Sequence, residues 1–123
     1  MKVLISKDPR YPIDNKKIRK KVDMIFRRLE TPSNCELSIF FVGRRKAKQM
    51  NQGYRQMDYI PEVLSFSQGG DRVGGRILLG DLLICFPQVR ERAIRENQLV
   101  DKILGETLEH GIKNLLKEVE IDH

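Results

Sequence analysis

The run Ile77-Leu78-Leu79-Gly80-Asp81-Leu82-Leu83-Ile84-Cys85 decides how this chain folds. It is apolar almost throughout and broken by a single aspartate. A strand with one wet face alternates apolar and polar residues, whereas a strand covered on both faces does not. The run therefore reads as a central strand, around which the rest of the chain is arranged.

Working outward from it, Val63-Leu64-Ser65-Phe66 reads as a short strand, and Gln68 to Gly75 as a glycine-rich hairpin or flexible loop. The glycines of that loop match no phosphate-loop spacing, because the Lys-Ser/Thr ending is missing, so turn chemistry is the better reading. Glu36 to Val42 is rich in β-branched and aromatic residues and reads as a strand, as does the segment over residues 2–6. Helices fill the gaps. Asp14 caps one in which Ile18, Val22, Ile25, Phe26 and Leu29 recur at helical spacing. Arg44 to Tyr54 forms a basic second helix, and Pro87 starts a third that runs to about Asn97. A longer helix begins near Leu99 and turns Ile103, Leu104, Leu108, Ile112, Leu115 and Leu116 inward. No repeat, linker or low-complexity tract interrupts the pattern. The expected class is α+β, as a single domain over residues 1–123.

At 123 residues, 40% of them hydrophobic and 33% charged, the chain has enough material for one core without a disulfide or metal. No apolar run approaches the roughly 18–20 residues that span a bilayer, and no basic-then-apolar leader is present. A cytoplasmic protein with no membrane association is expected. Cys35 and Cys85 lie inside apolar runs without CxxC spacing and read as buried free thiols. The net charge of +6 is unevenly placed: residues 1–60 carry 15 Lys+Arg against 6 Asp+Glu, and residues 61–123 carry 8 against 11. A polycationic half suits a polyanionic partner such as RNA, and suits equally a surface that only keeps the protein soluble.

Chemistry is concentrated near the end of the chain. In Glu109-His110-Gly111-Ile112-Lys113-Asn114, His110 and Asn114 stand four residues apart and project from one helix face. Zinc hydrolases use that spacing to set two imidazoles on one ion, but a lone histidine in an amphipathic helix is more often structural. Gly111 costs roughly 1 kcal/mol of helix stability against alanine, which suggests a close approach to the backbone there. Zincin-type proteolysis is disfavoured, because Gly111 stands where that chemistry needs a glutamate.

Four ordered segments make the pattern specific: Asn51-Gln52-Gly53-Tyr54-Arg55-Gln56-Met57-Asp58, Glu62-Val63-Leu64-Ser65-Phe66, Leu79 to Cys85, and Glu109-His110-Gly111. Together, over roughly Cys35 to Asn114, they resemble the YbeY family of bacterial rRNA maturation endoribonucleases. The resemblance implies a mixed four-stranded sheet with helices packed around it, zincin-like in its metal pattern, and one zinc ion held by three histidines in HGxxHxxxxxH. It also implies single-strand-specific, metal-dependent cleavage of RNA at the 3′ end of 16S rRNA, a role in ribosome quality control, and contact with the small ribosomal subunit. A monomer is expected.

Residue by residue, His110 matches the first metal histidine and Asn114 stands at the second. Glu120 stands at the third position without a gap, whereas His123 does so if three residues are inserted. The expected ligand set is His110, Asn114 and His123, with Glu120 as the alternative. Arg55 matches the arginine taken to handle RNA, and with His110 is the expected catalytic pair. Arg44, Arg45, Lys48 and Arg55 are the expected RNA contacts. Asp58, Ser65 and Asp81 match further motif positions. Lys117 replaces a turn-making glycine, so the last helix is expected to run on. An amide oxygen is a poor substitute for imidazole on zinc, although such a set suits a harder ion such as Mg²⁺ or Mn²⁺ weakly. Two readings stay open: a metal-dependent endoribonuclease, and a non-catalytic RNA- or ribosome-binding maturation factor that has lost the metal.

Overall fold

The computed structural model describes residues 1–119. The elements follow in the order β1 (Lys2–Lys7), α1 (Asn15–Arg28), β2 (Cys35–Val42), α2 (Arg44–Arg55), β3 (Val63–Ser67), β4 (Arg72–Val73), β5 (Arg76–Cys85), α3 (Phe86–Arg95) and α4 (Val100–Lys117). Four long strands form a mixed sheet in the order β1-β2-β5-β3, and the two-residue β4 pairs with the start of β5. β1, β2 and β5 run parallel, and β3 runs antiparallel to β5. The run that opened the sequence reading is thus central. The glycine-rich segment before it is a hairpin whose β4 adds a fifth, short strand.

β5 shows no alternation for a reason beyond two-sided cover. Its register against β2 slips at one point: Glu36 pairs with Leu78, but Leu37 pairs with Gly80. Leu79 is the extra residue of a β-bulge. Ile77 and Leu79 point inward before the bulge, and Leu82 and Ile84 after it, so the buried parity changes from odd to even. Gly80 makes this possible. Its φ is +140°, and a Cβ there would lie 2.1 Å from the Phe66 carbonyl oxygen.

One sheet face carries the core. Leu37, Ile39 and Phe41 of β2 and Leu82 and Ile84 of β5 pack with Ile18, Val22 and Phe26 of α1, Val89 of α3, and Ile103, Leu108 and Ile112 of α4. The other face is more open. Phe40 remains 36% exposed, and α2 lies over Asp81 and Leu83 with Met50 and Tyr54. Asp14 caps α1 by accepting from the Lys16 amide at 2.9 Å, as its position suggested. Cys35 and Cys85 are buried free thiols, and burial pushes both above the ordinary thiol range, which makes them poor nucleophiles.

α4 does not run on past Lys117. The Glu118 amide donates to the Leu115 carbonyl and the Val119 amide to that of Leu116, and the Val119 side chain is buried against Gly70. The helix ends here without a turn-making glycine, and burial of the Val119 side chain favours that ending. Among the described residues, no helix is long and apolar enough to cross a membrane.

Candidate functional site

The apolar stripe of α4 presses on β3 and β5, and this leaves His110 on the helix edge, exposed beside the sheet. The fit is close. A Cβ on Gly111 would come within 2.8 Å of Leu82 Cδ2 and 3.3 Å of Val63 Cγ2. The close approach suggested by Gly111 is therefore helix-to-sheet packing, not contact with a bound group. Two hydrogen bonds bracket His110 on this seam. Ser65 Oγ donates to the Gly111 carbonyl at 3.3 Å, and Thr107 Oγ1, one turn earlier, donates to Glu62 Oε1 at 2.5 Å. Both acidic and serine positions of the Glu62-Val63-Leu64-Ser65-Phe66 motif thus hold β3 against α4.

Arg55 comes from the other side. It is the last residue of α2, after which Gln56 adopts a left-handed φ of 56° and ends the helix. Buried Asn51 ties down the following loop: its side-chain amide donates to the Tyr59 carbonyl at 3.0 Å, and its backbone carbonyl accepts from the Met57 amide at 3.3 Å. Arg55 and His110 meet across two adjoining cavities. One, of about 560 Å³, is lined by Ser65, Phe66, Asn114 and Glu118 as well as the pair. The other, of about 490 Å³, adds Glu62, Arg92, Glu106 and Thr107.

Of the residues expected at the site, Arg55, His110 and Asn114 line one cavity. Arg44, Arg45 and Lys48 do not line it. Arg44 sits at the far end of α2, about 16 Å along the helix from Arg55 at 1.5 Å per residue, where it binds Glu91 at 2.9 Å and Gln88 at 3.3 Å. Lys48 lies 3.8 Å from Asp58. At 100° per residue, Arg44, Lys48 and Arg55 nevertheless fall within about 40° of one another around α2, a cationic stripe that ends at the cavity. Asp81 lies on the sheet face under α2, where burial raises its carboxyl above the usual range. Glu120 and His123 lie outside the described residues.

The donors among the described residues do not by themselves make a zinc site. Among the described residues, no three His, Cys, Asp or Glu side chains gather into a group that could hold a metal ion. His110 is the only histidine there. Asn114 contributes an amide and exposed Glu118 a carboxylate to the same cavity. Zinc selects imidazole and thiolate over such oxygens, so this set does not fit it.

A feature that sequence reasoning missed lies behind His110. Arg92 of α3 binds three carboxylates: Glu62 at 2.8 Å, Glu96 at 2.8 Å and Glu106 at 2.6 Å. Burial alone would lower its pKa, but the hydrogen bond it donates to Glu96 and the charge of Glu62 outweigh that, and the pKa rises. Only the Arg92–Glu96 pair has a sequence signal, its i,i+4 spacing. The other partners are 14 and 30 residues away.

Comparison with known proteins agrees with this architecture. Residues 5–116 match the family model described as Endoribonuclease YbeY. The chain is 35% identical over 82 residues to the protein of that name from Chromobacterium violaceum, covering 66% of this chain and 49% of the relative. It is 33% identical over 98 residues to the one from Limosilactobacillus fermentum, covering 72% and 62%. This chain therefore spans roughly half the length of the curated relatives it matches. The solution structure of TM1509 from Thermotoga maritima superposes with a TM-score of 0.64 at 23% identity, covering 98% of this chain and 74% of that one, which supports the fold.

Proposed function

We propose that this chain, which belongs to the YbeY endoribonuclease family, acts on single-stranded RNA in rRNA maturation, with the cavity between α2, β3 and α4 as its site. The observation that carries the reading is that Arg55 and His110, from elements far apart in sequence, face the same open cavity. The guanidinium of Arg55 offers the planar fork that suits a phosphodiester. His110 stands beside it as the group able to take or give a proton as the phosphodiester is cleaved, a contribution of typically 10²–10⁴-fold. The stripe of Arg44, Lys48 and Arg55 gives the strand a path along α2. On this reading residues 1–123 act as one domain and as a monomer in the cytoplasm, the RNA is the 3′ end of 16S rRNA, and the small ribosomal subunit is the setting, with ribosome quality control as the wider role.

The zinc that the family implies is not assigned a step, because among the described residues His110, Asn114 and Glu118 alone do not suit it. Asn114, standing where the family pattern has its second histidine, supports the second reading, a maturation factor that binds RNA without cutting it. Incubating wild type and His110→Ala with a single-stranded 16S 3′ fragment, with and without added Zn²⁺, Mn²⁺ or Mg²⁺, separates the two. Cleavage by wild type that His110→Ala abolishes, with low-salt binding retained, establishes the enzyme. Binding without cleavage under every condition establishes the factor, and cleavage that survives His110→Ala removes the site.

A further inference from the structure

The second cavity places two carboxylates, Glu62 and Glu106, on the wall beside His110 and Arg55. A phosphodiester drawn in by Arg55 would meet them at close range. Neither is free. Arg92 holds Glu62 through Nη1 and Glu106 through Nη2, and its Nε takes Glu96 on its own helix. Its side chain is only 25% exposed, and that of Glu62 24%, so solvent screens the Arg92–Glu62 pair weakly compared with a surface pair. The same guanidinium also joins three elements: α3, the entry to β3, and the α4 turn that precedes His110.

From this geometry we propose that Arg92 is a positioning residue of the candidate site. It pins Glu62 and Glu106 against the wall, so that neither carboxylate opposes the phosphate held between Arg55 and His110. The inference rests on the RNA reading above and adds a charge-balancing element to it. Arg92 lines the same cavity, but its Nε, Nη1 and Nη2 are each engaged by a carboxylate. It acts through the two carboxylates, and that makes its effect electrostatic and separable from simple stapling of the fold.

The test is the affinity of wild type and three variants for a single-stranded RNA oligonucleotide, measured at low and at moderate salt, with thermal unfolding followed alongside. Arg92→Gln should weaken binding about fivefold at low salt, the effect of one uncompensated charge at close range in a partly wet cavity. The deficit should shrink as salt rises. Adding Glu106→Gln to Arg92→Gln should restore most of the affinity, and Arg92→Lys should lose less than Arg92→Gln. Glu106→Gln alone, at a 45% exposed side chain that the fold can spare, should bind RNA more tightly than wild type. This last variant tests the proposal even if Arg92→Gln does not fold. Wild-type binding that is indifferent to Arg92→Gln, or a deficit that Glu106→Gln fails to repair, overturns the role of Arg92 and leaves the RNA reading standing. A wild-type chain that binds no RNA overturns both.

Discussion

Asn114 is one turn from His110 and lines the same cavity, so its identity sets what that helix face can bind. Asn114→His exchanges an amide oxygen for an imidazole and should raise Zn²⁺ affinity at least about tenfold, read by calorimetry on protein without a histidine tag. Unchanged affinity would mean that the two side chains do not converge. Asp81 makes a different prediction. Burial raises its carboxyl above the ordinary carboxylate range, so the folded chain holds that proton more tightly than the unfolded chain does. Its contribution therefore favours the fold at low pH and is lost as pH rises through the raised value. Asp81→Asn should raise Tm by roughly 2–4 °C at pH 7, with the gap closing below about pH 4. A gap that widens in acid would reverse the assignment.

Among the elements, β5 carries the most structural information. Gly80→Ala must place a methyl 2.1 Å from the Phe66 carbonyl oxygen at a φ of +140°, and both the backbone strain and the clash oppose it. A loss of about 3 kcal/mol or more is expected in denaturant unfolding. A variant as stable as wild type would show that the bulge is not fixed by this glycine. The strands and helices themselves were largely legible from the sequence. Periodicity marked Ile18, Val22, Ile25 and Phe26, and β-branched content marked Glu36 to Val42, because both signals are local. The bulge was not, since its only trace is a glycine beside an aspartate in a run that already lacks alternation. Nor was the end of α4, where a contact between Val119 and Gly70, distant in sequence, overrides the helix-forming character of Lys117.

At the scale of the whole molecule, charge is distributed differently from the count in each half. Several cations of the N-terminal half are paired with acids of the C-terminal half: Lys21 with Asp101, Arg28 with Glu109, and Arg44 with Glu91. The excess that remains for RNA is therefore smaller than +9, and Arg55, which lines both cavities, is where it meets the site. Here too the sequence was informative only in part. It singled out Arg55 and His110 from ordered motifs, but the clamp of Arg92, Glu62 and Thr107 arises from tertiary neighbours with no shared period. The central claim is that RNA enters through Arg55 beside His110. Its most direct test is the salt dependence of single-stranded RNA binding by wild type and Arg55→Ala. The expected result is steep salt dependence for wild type, with weaker binding and a slope reduced by about 0.7 for Arg55→Ala, the signature of one lost phosphate contact. Identical affinity and slope for the two proteins would contradict the claim.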